Sequence, residues 1–220
     1  MKKTVKPSRG FTLVEVLVVI AIIAVLAGLV MYVFNSGEKK AVIEHAQSEL
    51  GQLEVAIDTY HARYGFYPPS GGNSQVNPLY YELMGTTAGA SGAGTNFTTL
   101  DNISTVTAST MQSVFGVSAF VNCTKGSGDD SRPAQTFLPG LKSGEIASNG
   151  VVDVIGTAAN SDPGYLPVPG FISLNGRPAN PWCYTCPGTN NPSSYDLWIQ
   201  LSVGGKTYLI CNWVKGVQVQ

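Results

Sequence analysis

The amino-acid sequence predicts an α+β fold in which a long N-terminal helix packs on a small antiparallel sheet that carries a Gly/Ser/Thr-rich insertion. Three features predict it: an apolar run near the N-terminus with a single charge, an apolar stripe at helical spacing after it, and two strand-like segments around a Gly-Gly turn near the C-terminus. Of the 220 residues 12% are charged, compared with about 25% in ordinary soluble domains. The formal net charge of −1 offers no basic surface for nucleic acid, whose binding depends on Lys and Arg neutralising phosphates.

The N-terminal segment predicts a membrane anchor. Residues 1–10 contain no acid and four basic residues, namely Lys2, Lys3, Lys6 and Arg9. The run from Phe11 to Phe34 has Glu15 as its only charge, and as a helix it would extend about 36 Å, enough to cross a hydrocarbon core of about 30 Å. It is longer than the apolar core of a secretory signal. Positive residues before the run predict a cytoplasmic N-terminus and an extracytoplasmic body.

Glu15 is the first candidate functional residue. A single acid within a transmembrane helix costs about 2.5 to 3.5 kcal/mol on insertion scales, so it is a functional candidate by default. A cut after Gly10 would create an α-amino group on Phe11, four residues before Glu15, and thereby a cation for the carboxylate. The alternative is a carboxylate that reaches the membrane interface and has no role.

The segment Arg9-Gly10-Phe11-Thr12-Leu13-Val14-Glu15-Val16-Leu17 resembles the prepilin signal of type IV pilins and type II secretion pseudopilins. That signal has a short basic leader, a Gly before the cut, a Phe after it and a Glu four residues further on. The resemblance implies a structural subunit of a type IV pilus-like filament, namely a type II secretion pseudopilin, without enzymatic activity or cofactor. It also implies cleavage between Gly10 and Phe11, methylation of the Phe11 nitrogen, and neutralisation of a neighbouring subunit's Phe11 amine by Glu15.

The resemblance further implies a location and partners. The location is the bacterial inner membrane, crossed once, with the head in the periplasm or, in an assembled filament, outside the cell. The partners are further copies of the chain, related minor subunits, a prepilin peptidase, a membrane platform protein and a cytoplasmic ATPase. One alternative is a type IV pilin for adhesion, motility or DNA uptake. The alternative of another class is an extracytoplasmic binding or enzyme domain on an uncleaved signal-anchor helix.

Residues 35–64 predict an amphipathic continuation of the helix, because apolar residues recur there every three or four positions. The apolar stripe consists of Val42, Ala46, Leu50, Leu53, Ile57, Tyr60 and Tyr64. The opposite side consists of Lys39, Lys40, Glu44, Glu49, Glu54, Asp58 and Arg63. Gly65 and then Pro68-Pro69 end the helix. Where the resembled family often has a Pro and an earlier Gly, this chain has Tyr32 and Ala24, which favours an unbroken helix.

Residues 65–220 are expected to form the extracytoplasmic head, with a C-terminal sheet at 180–220. Four blocks resemble the C-terminal blocks of the major pseudopilin of type II secretion: Asn180-Pro181-Trp182, Pro187-Gly188-Thr189, Ser194-Tyr195-Asp196-Leu197 and Asn212-Trp213. The calcium loop of that family has no counterpart, since the segment between Leu201 and Asn212 has no carboxylate and calcium prefers several. We therefore expect no metal site there.

Residues 86–150 predict a variable insertion of loops and short strands, since about half of them are Gly, Ser, Thr or Asn. Three short apolar pieces interrupt this composition, at 111–121, 136–141 and 151–155. The insertion is expected to belong to the head and not to form a separate domain. Its role is either decoration or an exposed recognition face.

The four cysteines, Cys123, Cys183, Cys186 and Cys211, predict structural disulfides if the head lies in an oxidising compartment. Cys211 is expected to pair with one cysteine of the Cys183–Cys186 motif, and Cys123 with the other. A four-cysteine zinc site and a redox-active Cys-x-x-Cys pair remain alternatives. The two histidines, His45 and His61, lie about 24 Å apart on one helix, so they cannot share a metal and are expected to be surface residues.

Overall fold

The computed structural model of the protein describes residues 12–91, 94–124, 133–157 and 168–220. For residues 29–39, 90, 91 and 94 it describes the backbone alone. Within these ranges the helices are α1 (Leu13–Tyr64), α2 (Leu79–Met84) and α3 (Ala108–Phe115). The strands are β1 (Thr86–Ser91), β2 (Gly94–Thr99), β3 (Thr105–Thr107), β4 (Cys123–Thr124), β5 (Ile146–Ser148), β6 (Asp153–Ile155), β7 (Ile172–Ser173), β8 (Cys183–Thr185), β9 (Asp196–Val203), β10 (Lys206–Cys211) and β11 (Val217–Val219). The expected α+β class is confirmed. The chain divides into two compact units, Met1–Ala41 and Val42–Gln220.

The first unit contains the N-terminal part of α1. Among the residues that the structure describes, no helix has both the length and the apolar character needed to cross a membrane. The anchor expected from Phe11 to Phe34 includes Phe11 and the side chains of 29–34, which lie outside the described residues. The anchor and the domain boundaries drawn around it therefore stay predictions. The leader 1–10 also lies outside the described residues.

In the second unit, α1 buries the stripe that the sequence predicts. Ala46, Leu53, Ile57 and Tyr60 are buried in the main core, and Val42, Leu50 and Tyr64 pack against it half-buried. The helix ends at Gly65, whose positive φ of 81° lets its N–H donate to the carbonyl of His61 at 2.7 Å.

The polar side of this helix differs from the expectation at three positions. Glu49 is only 9% exposed, and Glu54 and Arg63 are half-buried. Glu49 stands three residues after Ala46 and four before Leu53, so helical geometry places it at the edge of the buried stripe. The side chain of Lys39 lies outside the described residues.

The C-terminal sheet is antiparallel with the strand order β11-β10-β9-β8, which confirms the expected hairpin. Its longest strand, β9, alternates its side chains and buries Leu197, Ile199, Leu201 and Val203 in the same core as α1. Gly204 and Gly205, both with positive φ, form the two-residue turn into β10. Strand β11 pairs with β10 at the C-terminal edge of this sheet.

The insertion is more ordered than the sequence predicts. It contributes a sheet of order β3-β2-β1-β4, strand β5 of a second sheet, and helix α3. The hydroxyl of Thr107 caps α3 by accepting a hydrogen bond from the N–H of Thr110, and Met111 and Phe115 are buried. These two side chains pack in the same core as Ile57 of α1.

Glu82 of α2 is a fully buried carboxyl that joins three parts of the head. Its oxygens accept hydrogen bonds from the N–H groups of Val121 (2.9 Å) and Asn122 (3.0 Å) and from the hydroxyl of Tyr60 on α1 (3.0 Å). Burial raises the pKa of Glu82, and these three hydrogen bonds oppose that shift. No sequence pattern indicated this contact, because its partners lie 22 to 40 residues away.

Candidate functional site

The start of α1 is a reciprocal cap formed by Thr12 and Glu15. The N–H and the hydroxyl of Thr12 each donate to Oε2 of Glu15 at 2.9 Å, and the N–H of Glu15 donates to the Thr12 hydroxyl at 3.3 Å. This is the capping-box arrangement, which satisfies two backbone donors that the first turn of a helix leaves unpaired. The signal was readable in the sequence, since a Thr stands three residues before a Glu at the start of an apolar run.

Glu15 is exposed at this cap. A carboxylate offers about four acceptor positions on two oxygens, so the bonds from Thr12 leave it able to accept from a further donor. Gly10 and Phe11, the expected cleavage junction, lie outside the described residues. The pairing of Glu15 with a Phe11 amine therefore stays a prediction.

The helix after this cap exposes apolar side chains on all its sides. Every large apolar side chain between Leu13 and Leu26 is exposed, by 48% to 80% of its surface. Soluble proteins seldom expose a continuous apolar surface of this kind, which marks a site of contact with protein or membrane. From Thr12 to Leu26, α1 and its cap therefore combine a single charged residue, Glu15, with an uncovered apolar surface.

Two of the C-terminal blocks are explained by one buried carboxylate. Asp196 accepts hydrogen bonds from the N–H groups of Asn190 (2.8 Å) and Asn191 (3.0 Å). A Cβ at Gly188 would lie 2.5 Å from a carboxylate oxygen of Asp196, so this position requires glycine. The Pro-Gly and Tyr-Asp-Leu blocks are therefore parts of one structural contact.

The other two blocks also hold the sheet together through asparagine side chains. Asn212 accepts from the N–H of Leu197 and donates to the carbonyl of Tyr195, both at 3.0 Å. Asn180 donates to the carbonyl of Gln200 at 2.7 Å and accepts from the N–H of Val168 at 2.6 Å. These hydrogen bonds stabilise the sheet.

All four cysteines are free thiols in the structure, which therefore contains neither of the expected disulfides. Cys183 and Cys211 both stand opposite Trp198, one on each side of β9. Two strand spacings separate their Cα atoms by about 9.6 Å, beyond the limit of about 7 Å for a disulfide. This register excludes the Cys183–Cys211 pair, whereas pairing of Cys186 with Cys211 stays a prediction.

The thiols of the Cys-x-x-Cys motif have the properties of structural cysteines. Burial raises the pKa of the Cys183 thiol to about 12, and burial also raises the pKa of Cys186. A redox-active pair needs a lowered thiol pKa. The motif lies on β8 and the turn after it, and no helix begins in the described segment between the motif and β9.

A second cluster of polar side chains lies in the head. His45, Glu49 and Glu145 bring one nitrogen and two carboxylate oxygens within 4.8 Å of one another. His61, in contrast, stacks on Tyr67 with ring centroids 4.2 Å apart. No sequence pattern connects His45 with Glu145, because 100 positions separate them.

The class of the first unit follows from a family comparison. The family described as the prokaryotic N-terminal methylation motif matches residues 5–31, which include the cap and most of the exposed apolar surface. The chain therefore carries a prepilin-type methylation motif at its N-terminus.

Comparison with individual proteins extends this similarity to about 60 residues. The chain is 45% identical over 60 residues to the type II secretion system core protein G of Escherichia coli (strain K12), covering 27% of this chain and 41% of that protein. The core protein G of Pectobacterium carotovorum subsp. carotovorum is 43% identical over 60 residues, covering 27% and 38%. Fimbrial protein EcpB of Eikenella corrodens is 33% identical over 79 residues, covering 35% and 50%. The chain thus spans about two fifths of the length of the core G relatives, and no solved structure matches it.

Proposed function

We propose that the protein is a structural subunit of a pilus-like filament of the type II secretion kind, assembled through its N-terminal helix. The observation that carries this proposal is the start of α1, where the capped Glu15 precedes an apolar helix surface that the chain itself leaves uncovered. The similarity to core protein G covers this same segment. A filament would bury the exposed surface between neighbouring helices.

In this proposal the precursor is cut between Gly10 and Phe11, and the new Phe11 nitrogen is methylated. Glu15 then accepts a hydrogen bond from the Phe11 ammonium of a neighbouring subunit. A carboxylate in an apolar environment is costly unless it is paired with a cation, so this contact favours one axial register between subunits. Thr12 orients the carboxylate for this contact, because its hydroxyl and N–H hold Oε2.

The proposed location before assembly is the inner membrane, with Phe11 to Phe34 as a single span. The uncovered apolar side chains from Leu13 to Leu26 and the basic residues of the leader support this orientation. Residues 35–64 continue the helix, and 65–220 form the head on the extracytoplasmic side. The partners proposed for assembly are a prepilin peptidase, a platform protein, a cytoplasmic ATPase and related minor subunits.

A second candidate is a type IV pilin for adhesion, motility or DNA uptake. The similarity to fimbrial protein EcpB, which extends over 79 residues, favours it. Deletion of the gene distinguishes the two: loss of exoprotein secretion indicates the first function, and loss of surface pili with intact secretion indicates the second.

The role of Glu15 can be tested with two variants that separate its charge from its capping function. Glu15→Gln keeps a side-chain oxygen that can accept from the Thr12 N–H, since glutamine also serves in capping boxes, but it removes the charge. Glu15→Ala removes both. We expect sheared filaments to be lost with both variants, while the head stays folded. Glu54→Gln, a neutralised acid on the same helix, is the matched control and should assemble normally.

Normal assembly of Glu15→Gln, together with loss in Glu15→Ala, would assign Glu15 a capping role alone and contradict the proposed ion pair. Normal assembly of both variants would contradict the filament mechanism. An uncleaved protein that remains in the membrane as single copies would indicate the remaining alternative, a binding or enzyme domain on a signal-anchor helix.

A further inference from the structure

His45, Glu49 and Glu145 form a compact set of potential metal ligands on the head. His45 and Glu49 are one helical turn apart on α1, with His45 Nδ1 3.2 Å from a carboxylate oxygen of Glu49. Glu145 comes from the residue before β5, and its carboxylate is held by the N–H of Lys142 at 2.7 Å. The ligand atoms of all three lie within 4.8 Å of one another.

A small cavity lies beside this set. It has a volume of about 30 Å³ and is lined by Glu49, Glu145 and Trp182, among apolar neighbours that include Leu53 and Ile155. This is room for about one water molecule. Two carboxylates that converge on such a space repel each other, and a cation would remove that repulsion.

Trp182 supplies an independent indication of a ligand. Its side chain is 1% exposed, and among the described residues no acceptor lies within hydrogen-bonding reach of its indole N–H. Buried Trp N–H groups usually have a partner. An oxygen ligand in the cavity that Trp182 lines would provide the acceptor.

We propose that these three side chains bind one divalent transition-metal ion of the zinc type. One imidazole nitrogen and two carboxylate oxygens are a ligand set that Zn²⁺ accepts, and three protein ligands leave its fourth position for a water molecule. That water occupies the cavity and accepts from the indole N–H of Trp182. Ca²⁺ fits less well because it prefers six to eight oxygen ligands.

The ion would connect α1 to the segment that leads into β5, across nearly 100 residues of chain. Ligand atoms around a tetrahedral zinc ion lie about 3.4 Å apart, so a small movement of the side chains closes the site. This site is separate from the N-terminal segment and does not depend on the proposed filament function. It departs from the expectation that the chain has no metal site, which was argued from the C-terminal loop and from the distance between the two histidines.

The test uses the full chain, purified in detergent and stripped with a chelator that is then removed. Metal analysis and calorimetric titration with ZnCl₂ should show that the protein binds zinc. Zinc should also raise the midpoint of thermal unfolding, and chelator should reverse that rise. His45→Gln and Glu145→Gln should each bind one zinc fewer per chain or bind it at least about tenfold more weakly. His45 is half-exposed, so its variant keeps the fold.

Two matched variants keep all three ligands. His61→Gln removes the other histidine of the chain, and Glu54→Gln removes an acid from the same helix; both should bind zinc as the parent does. Absence of zinc binding by the stripped parent protein would overturn the proposal. Undiminished binding by both His45→Gln and Glu145→Gln would also overturn it, because the metal would then lie elsewhere, at the free thiols.

Discussion

The two parts of α1 differ in apolar content and in surroundings. From Leu13 to Leu26 the large apolar side chains are exposed, whereas from Ala46 to Tyr60 one apolar stripe is buried in the head. In the first part apolar residues occupy every side of the helix, and in the second they occupy one side, opposite polar residues.

This difference indicates which part of α1 stabilises the head and which part contacts other molecules. A one-sided stripe is satisfied by the chain's own core, since that core covers one face of the helix. An apolar surface on all sides needs neighbours that this chain does not supply, such as lipid or other helices. Stability of the head should therefore depend on the second part, and association on the first.

The largest expected effect comes from the same substitution made in each part. Ile57 is completely buried, and Ile57→Ala should lower the free energy of unfolding by about 2 to 5 kcal/mol, because it leaves a cavity. This corresponds to a fall in the unfolding midpoint of roughly 5 to 15 °C. Ile20 is 59% exposed, and Ile20→Ala should leave the midpoint unchanged. Thermal unfolding in detergent, monitored by near-ultraviolet circular dichroism, gives the midpoint of each variant. Equal midpoints would contradict the statement that the stability of the head depends on the second part of α1 and not on the first.

A smaller effect is expected from replacing one carboxylate by an amide in each of the two units. Glu82→Gln should lower the free energy of unfolding by about 1 to 3 kcal/mol, because the amide has one acceptor oxygen where Val121, Asn122 and Tyr60 present three donors. Glu15→Gln should leave the unfolding of the head unchanged, because the exposed cap belongs to the first unit. Urea denaturation of the two variants, compared with the parent chain, measures this difference. A stable Glu82→Gln would show that its hydrogen bonds add nothing to the core.

The smallest expected effect concerns the reactivity of the four cysteines. Whether their thiols are free or paired indicates whether the head lies in a reducing or an oxidising compartment. In the folded and reduced protein, iodoacetamide should modify Cys186 before Cys183, because Cys186 is half-buried and Cys183 is buried with its pKa raised to about 12. In protein isolated without reductant from an oxidising compartment, the disulfides that the sequence predicts should leave two or none of the cysteines reactive after denaturation, and mapping the peptides would identify the pairs. Reaction of all four would contradict those disulfides and agree with the free thiols of the structure.

The fold was predictable where periodic patterns carry the information. The stripe of α1 and the Gly-Gly hairpin follow from spacing and turn chemistry, so both appear in the structure where the sequence places them. Helix α3 and the sheet of the insertion were missed, because their strands are short and rich in Gly, Ser and Thr. The core of the insertion depends on a few apolar residues, such as Phe97 and Phe120, which are far apart in the sequence.

The candidate sites also differ in how far the sequence predicts them. The Thr12–Glu15 cap is a local pattern and could have been read from the sequence. The contacts of Glu82 and of Glu145 could not, because they form only when distant segments of the chain pack together. Glu49 was assigned to the polar side of the helix because of its charge, although its spacing from Ala46 and Leu53 places it at the edge of the stripe.

The proposed filament function rests on processing at the Gly10–Phe11 junction, and mass spectrometry of the N-terminal peptide tests it most directly. The sample is protein from membrane and sheared-filament fractions of cells with an active prepilin peptidase. We expect a peptide that begins with N-methylated Phe11. A peptide that begins at Met1 or Lys2 in both fractions would contradict the filament proposal.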